Sequence, residues 1–342
     1  MHAVFNHGCN MSHWAILDRD GNREASLEAS LVYSPGEHLC AFTHEAYGFS
    51  DYLDLRTWQI TSKRFRFAES HSTKLRVARV AISDANGDRY GIISESLEYV
   101  VEAMFSDIKK LTSHRIAARC PTTGLYGYVS LDRKNNFVPK YSHATSFCDE
   151  VAIVSLPNDD DIFYHIDPSE QIIHGPFSGM ASEELLFSDD GIAMVADANT
   201  HEKYYINRAG ETILVPDKNL VSEQFSCGLA KAWSSADGLF GYIDRCGRFV
   251  IPPQYEEAMN FVNGMALVQH NSEWMLIDRR DNVLKNTRSS ALQNIDNKFN
   301  NRIIYKCGER YGYLNEDGDV IIQPLYTIAT RFITNRAAVC MD

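Results

Sequence analysis

The chain repeats itself. Residues 238–268, GLFGYIDRCGRFVIPPQYEEAMNFVNGMALV, align without a gap on a segment that starts at Arg310, RYGYLNEDGDVIIQPLYTIATRFITNRAAV. Phe240-Gly241-Tyr242 falls on Tyr311-Gly312-Tyr313, Pro253 on Pro324, Tyr255 on Tyr326 and Phe261 on Phe332. With Phe240 as the anchor position, weaker copies are anchored at Trp14, Ser50, Tyr90, Tyr126, Phe163, Lys203 and Trp274, and Tyr311 anchors the last. The nine anchors are 36, 40, 36, 37, 40, 37, 34 and 37 residues apart, a period in the range of propellers and solenoids. A unit this short cannot bury its own apolar face, so neighbours must stack. Nine copies make residues 1–342 a single array, where length alone would suggest about two domains.

Each unit is expected to hold three short strands, as at 239–243, 248–251 and 265–268, which are apolar, aromatic or β-branched and bounded by turn residues. The turn between the first two reads Asp244-Arg245-Cys246-Gly247, and elsewhere Asp18-Arg19-Asp20-Gly21, Asn207-Arg208-Ala209-Gly210 and Asn315-Glu316-Asp317-Gly318. Its Asp or Asn can accept bonds from the turn amides, and its Gly can take the left-handed conformation. The recurring aspartates Asp18, Asp54, Asp167, Asp244 and Asp278 are therefore read as turn residues, not catalytic acids. Proline at Pro139, Pro216, Pro252-Pro253 and Pro324 is expected to stop the second strand. Gly241, with Gly91, Gly127 and Gly312, suits close approach of a neighbouring sheet, and the recurring aromatics are expected in the core. Residues 94–111 have apolar spacing that suits a helix, yet they align with 244–261 without a gap. The repeat predicts strand at 99–101, with a short helical turn at 105–110.

The expected fold is all-β: nine tandem repeats of short antiparallel strands in three-stranded units. Ala3-Val4-Phe5 reads as an extra strand of the third type and Arg336-Ala337-Ala338-Val339 as the last one. Ten such strands against nine of the others favour an open, curved β-solenoid or superhelix. A closed β-propeller-like ring is the alternative.

An aromatic-Gly-Tyr-Ile-Asp unit followed by Ile-Pro-Pro-x-Tyr and Phe-x-x-Gly-x-Ala resembles the bacterial WG-repeat (KWG-repeat) family. The resemblance covers almost the whole chain and is best at 238–268, then 310–340 and 124–154. Trp stands at the anchor only in Trp14 and Trp274, and the Trp-Gly pair is absent. Phe240-Gly241, Tyr126-Gly127, Tyr311-Gly312 and Tyr90-Gly91 replace it, so the chain reads as a divergent member. The resemblance implies a bacterial β-repeat scaffold with a binding role.

Charge is distributed in blocks. The net value is −12, but residues 141–202 hold 13 acids and no Lys or Arg, while residues 51–140 hold 15 basic and 10 acidic groups. The acids Asp149, Glu150, Asp159, Asp160, Asp161, Glu183, Glu184, Asp189 and Asp190 are candidate contacts for a cationic protein or peptide partner. Lys63, Arg64, Arg66, Lys74, Arg76 and Arg79, interleaved with aromatics, form a basic segment that could meet an anionic group. Overall acidity disfavours nucleic acid as partner.

No run of apolar residues suits a membrane span, and the N-terminus lacks a basic region followed by an apolar stretch. The eight cysteines are never closer than 19 residues, which excludes paired zinc-ligand spacing and fits reduced thiols in a cytoplasmic protein. His2, His7, Cys9 and His13 lack characteristic ligand spacing, and Asp159-Asp160-Asp161 lacks the glycine and distal glutamate of a calcium loop. Neither is read as a metal site, and no cofactor is expected. No Gly-rich phosphate loop, GxSxG or HExxH is present. The expectation is a non-enzymatic protein- or peptide-binding scaffold, in its narrower form a toxin-immunity or defence-system component engaging a basic partner through repeats four to six. The alternative is a small-molecule or glycan-processing enzyme with its site in a channel or cleft.

Overall fold

The structure is a computed structural model that describes residues 11–43, 49–61, 64–72, 74–132, 137–159, 161–179, 186–262, 264–287, 302–315, 319–333 and 335–341. Among these residues it is all-β, with no helix. The chain divides into two compact units, residues 1–105 with 298–342, and residues 106–297. The strands form five four-stranded sheets, two three-stranded sheets and one of seven strands. The sheets are antiparallel, and every anchor position lies in a strand.

The best repeat shows how the residues build a sheet. Leu239–Ile243 is a strand as expected, and pairs on one side with Ala230–Ser234 and on the other with Phe249–Tyr255. A short strand, Leu220–Ser222, lies beyond Ala230–Ser234. The sheet therefore takes its third-type strand from the repeat before it, and most sheets have four strands rather than three. The fourth is the continuation of a second-type strand across one intervening residue, as Phe249–Tyr255 continues into Glu257–Ala258 of the next sheet and Val320–Tyr326 into Ile328–Ala329.

Proline does not end these strands. Pro252 and Pro253 lie inside Phe249–Tyr255, and Pro324 inside Val320–Tyr326. The ladder shows why they are tolerated. Tyr242 pairs with Ile251 and Phe240 with Tyr255, so three residues on the outer strand stand opposite Gly241 alone. The prolines fall in this bulge, where no ladder donor is needed.

The bulge also explains the glycine. A Cβ on Gly241 would lie 2.5 Å from the Ile251 carbonyl oxygen and 2.8 Å from the Pro253 nitrogen. Gly127 meets the Val138 carbonyl, and Gly312 the Ile322 carbonyl, at the same 2.5 Å, and Gly91 meets Val101 and Ala103 at 2.8 Å. The close approach comes from the glycine's own hairpin, not from a neighbouring sheet.

The stretch suited to a helix instead holds a turn and the strands Tyr99–Phe105 and Asp107–Ile108, with no helical turn at 105–110. The aromatic core is narrower than expected. Tyr242, Tyr313, Tyr52 and Tyr205 are fully buried, whereas the anchors Phe240, Trp274, Tyr311 and Tyr90 are half-buried. Tyrosines at the Tyr242 position donate their hydroxyls to a backbone carbonyl further along. Tyr52 reaches Glu69 at 2.7 Å, Tyr128 Thr145 at 3.0 Å, Tyr242 Met259 at 2.6 Å and Tyr313 Thr330 at 2.8 Å, each 17 residues on. The same rings pack edge-on or tilted against the recurring phenylalanine, Tyr242 on Phe261 at 4.6 Å and Tyr313 on Phe332 at 4.8 Å.

The turn aspartates behave as read. Asp244 Oδ1 accepts from the amides of Cys246 and Arg248 at 2.8 and 3.0 Å, Asp18 Oδ1 from those of Asp20 and Asn22 at 2.9 and 2.8 Å. Gly247 and Gly21 follow with φ of +75° and +87°.

In the first unit, Ser12–Leu17 pairs with Arg23–Ala29 on one side and with Ala337–Cys340 on the other. The last third-type strand thus sits beside the first anchor strand, while Ala3-Val4-Phe5 lie outside the described residues.

Candidate functional site

The acidic segment is carried by the seven-stranded sheet, which runs from His143–Ala144 to Thr212–Leu214. Strand register separates its carboxylates. Asp149 and Glu150 lie in the turn before Ala152–Ser155, with φ of +46° and +65°. Asp159 and Asp161 follow that strand, at its opposite end. Asp189 and Asp190 precede Ile192–Asp197, in the place Asp149 and Glu150 take one repeat earlier. Asp160, Glu183 and Glu184 lie outside the described residues. The described acids therefore lie in two sets of turns at two ends of the strands.

Part of the charge is already matched. Arg208 pairs with Asp149 at 3.2 Å and Arg245 with Asp190 at 3.6 Å, both arginines coming from the second position of an Asp/Asn-Arg-x-Gly turn. Asp190 also accepts the Gly228 amide at 2.8 Å. Asp159 is half-buried and takes a 3.4 Å bond from the Tyr164 hydroxyl. Glu150, Asp161 and Asp189 are exposed and have no ion-pair partner among the described residues.

A further acid of this segment, Glu170, is strongly held: Lys140 Nζ lies at 2.9 Å, Arg115 Nη2 at 2.5 Å, and the Tyr141 hydroxyl donates at 3.2 Å. Burial raises its carboxyl, and the bonds from Lys140 and Arg115 outweigh this and hold it below the ordinary value. The signal was present in the sequence, since Glu170 occupies the turn position that Gly fills elsewhere.

The basic segment is largely neutralised within its own unit. Arg79 pairs with Glu69, Arg76 with Glu95 at 2.5 Å, and Arg64 approaches Asp51 at 3.6 Å. Arg79 also covers the Phe67 ring at 5.5 Å. Arg66 is half-buried, Lys74 is exposed, and Lys63 lies outside the described residues.

One cleft in this unit escaped sequence reading. It encloses about 460 Å³ and is lined by His38, Arg56, Arg76, Ser94, Glu95 and Ser96. Ser94 ends strand Gly87–Ser94 and Glu95 begins the turn that follows, and Arg56 lies in the turn after Ser50–Asp54. A ring nitrogen of His38 and an oxygen each of Glu37 and Glu95 lie within 4.8 Å of one another, the donor set a cation would need. Yet the charges are matched internally. Arg76 holds Glu95, and Arg56 holds Asp54 at 2.8 Å, keeping that carboxyl down at about 2. Ser94 Oγ is 2.8 Å from Ser96 Oγ and donates to the Glu98 carbonyl at 3.3 Å. His38 and Glu95 are 57 positions apart, so no local motif announces the cleft. Of the N-terminal histidine-cysteine group only His13 is described, 3.2 Å from Glu28. No disulfide joins the seven cysteines among the described residues.

Residues 240–274 and 311–342 match the family described as WG containing repeat, so the resemblance read from the residues holds there. No curated protein matches the sequence. A solved structure of the eukaryotic initiation factor shares 9% identity, covering 97% of this chain and 99% of that one, with a TM-score of 0.58. The C-terminal WD40 domain of Sif2 shares 11% identity over 99% of each chain, with a TM-score of 0.38. The β-propeller domain of the Trilobed protease from Pyrococcus furiosus shares 8% over 86% of this chain and 97% of that one, with a TM-score of 0.41. At such identities the likeness speaks for fold alone. No helix among the described residues is long and apolar enough to cross a membrane.

Proposed function

We propose that this WG-repeat protein is a non-enzymatic scaffold that binds a cationic protein or peptide through the acidic turns of its seven-stranded sheet. The observation that carries the reading is the exposure of Glu150, Asp161 and Asp189 without ion-pair partners, in a segment of 13 acids and no Lys or Arg. The recurring residues are spent on structure: the glycine on the bulge, the tyrosine on the core and the aspartate on the turn. What remains for recognition is the set of side chains that differ between repeats. The toxin-immunity reading is a narrower form of the same proposal and rests on the same charge. The enzyme alternative would use the cleft beside His38, where Arg76 already pairs with Glu95 and Ser94 with Ser96. Pairing of Ser12–Leu17 with Ala337–Cys340 supports the propeller-like arrangement over the open array.

The test uses a fluorescent Lys/Arg-rich peptide and a Glu-rich control, with anisotropy read at about 50 and about 300 mM salt. Binding of the basic peptide is expected to weaken with salt, and Glu150→Lys with Asp189→Lys to weaken it about tenfold at low salt. Equal affinity for both peptides, or binding indifferent to salt and to these substitutions, would overturn the reading.

A further inference from the structure

The seven-stranded sheet contains two histidines that the acidic turns do not use. His165, in Ile162–Ile166, and His174, in Ile172–Ser178, are cross-strand partners. Their Nδ1 atoms are 3.3 Å apart and their rings meet edge to face with centroids at 5.5 Å. His165 is fully buried, with the rings of Phe177 and Phe187 at 5.1 and 5.3 Å. Phe187 also lies 6.0 Å from His174. The strand register shifts on both sides of His165, so the backbone ladder is interrupted around the pair and the side chains bridge the gap.

His174 also ties this hairpin to the following turn. Its imidazole bonds the backbone of Ala209, and a Cβ on Gly210 would stand 2.9 Å from its Nε2. The same turn supplies Arg208, whose guanidinium covers the Phe187 ring at 5.3 Å and pairs with Asp149.

We propose that His165 and His174 form a pH-sensitive latch. With one proton between the two Nδ1 atoms it joins strand Ile162–Ile166 to Ile172–Ser178 and seats the turn 207–211, and with a proton on each nitrogen it opens. A hydrogen bond between two imidazole nitrogens needs one donor and one acceptor. Two N–H groups face to face have no acceptor, and two cations against two phenylalanine rings repel and are poorly solvated.

Asp161 and Asp189, near the pair in sequence, are exposed, and other charged groups on the elements around it are engaged elsewhere. Glu170 is held by Lys140 and Arg115, Arg208 by Asp149, and Glu211 accepts from Asn207 at 2.8 Å. Asp167 accepts the Gln171 amide at 2.9 Å. No carboxylate pairs with His174 among the described residues. Burial lowers the His174 imidazole, which makes the folded protein bind fewer protons there than the unfolded chain. The closed form is therefore favoured at neutral pH and loses stability as pH falls below about 6.5.

Hydrogen exchange of the full chain from about pH 7.5 to about pH 5, corrected for intrinsic rates, tests this. Amides of residues 162–178 and 203–214 are expected to open about tenfold more for each pH unit below the titration, one proton being taken up per opening. His174→Gln should remove that dependence, while His71→Gln, a second buried histidine in the other unit, should not. Protection in these segments that does not change with pH, or that changes equally in His174→Gln, overturns the latch. If His174→Gln does not fold, imidazole NMR titration of the unmodified protein decides. A depressed titration of the His174 ring is expected, and its titration at the ordinary histidine value overturns the proposal.

Discussion

The repeat is written in three residues, and each answers to a different force. In aromatic-Gly-Tyr, the glycine makes room for the bulge and the tyrosine closes a long-range hydrogen bond. Gly241→Ala puts a methyl group 2.5 Å from the Ile251 carbonyl, a backbone atom that cannot swing away. It is expected to cost about 3 kcal/mol, against about 1 kcal/mol for Gly238→Ala, where only the positive φ resists. Urea unfolding of the two variants separates steric from conformational cost, and equal losses would deny that the bulge makes the glycine necessary. Tyr242→Phe keeps the ring on Phe261 but strands the Met259 carbonyl, for an expected loss of about 1–2 kcal/mol. The turn aspartates give a pH signature. Arg56 beside Asp54 holds its carboxyl down to about 2, and turn amides and neighbouring asparagines lower Asp18, Asp244 and Asp278. Folded values below the unfolded value of about 3.9 mean that this stability is complete above that pH and is lost as pH falls through the folded values. Urea midpoints should thus drop between about pH 4 and about pH 2, and Asp244→Ala should show a smaller drop than the parent.

At the scale of the element, the hairpin turn is also the point where neighbouring sheets meet. A Cβ at Gly247 would lie 2.8 Å from Leu214, and one at Gly21 would lie 3.0 Å from Ile322, each on the preceding sheet of its unit. Where the fourth turn residue is an acid, polar groups receive it. Glu170 meets Lys140, Arg115 and Tyr141, and Asp281 accepts from the hydroxyl of Tyr255 and, at 2.7 Å, from Gln254. Glu170→Ala is expected to destabilise by about 2 kcal/mol, because it leaves Lys140, Arg115 and the Tyr141 hydroxyl without their acceptor. A urea midpoint matching the parent would show that these groups find other partners. Sequence alone made the turns legible, since Asp-x-x-Gly names its own hydrogen bonds, and it located strand 239–243 to the residue. It misjudged Pro252-Pro253, because a proline that ends a ladder and one that sits in a bulge look alike in one chain. It also gave the segment around Phe105 a helical turn, because local apolar spacing there cannot see the strand opposite. The cleft beside His38 and the pairing of Glu170 depend on residues dozens of positions apart, which only the stacked sheets bring together.

For the chain as a whole, the informative contact is the pairing of its two ends within the first unit. Trp14 stands opposite Cys340, Ala15 opposite Val339, Ile16 opposite Ala338 and Leu17 opposite Ala337, and all of these side chains are buried. Counting third-type strands in the sequence, with Ala3-Val4-Phe5 as an extra one, favours an open array. With Ala337–Cys340 beside Ser12–Leu17, the last repeat completes the sheet of the first, and neither end need stand as an unpaired edge there. Deleting residues 336–342 removes this strand, exposes Trp14 and Ile16, and also takes away Arg336, which pairs with Glu24 at 2.5 Å. The loss should exceed about 4 kcal/mol and lower the melting midpoint by about 10 °C or more. The near-UV circular dichroism contributed by Trp14 should weaken with it. A melting curve unchanged by the deletion would mean that the end-to-end pairing contributes nothing to holding the molecule together.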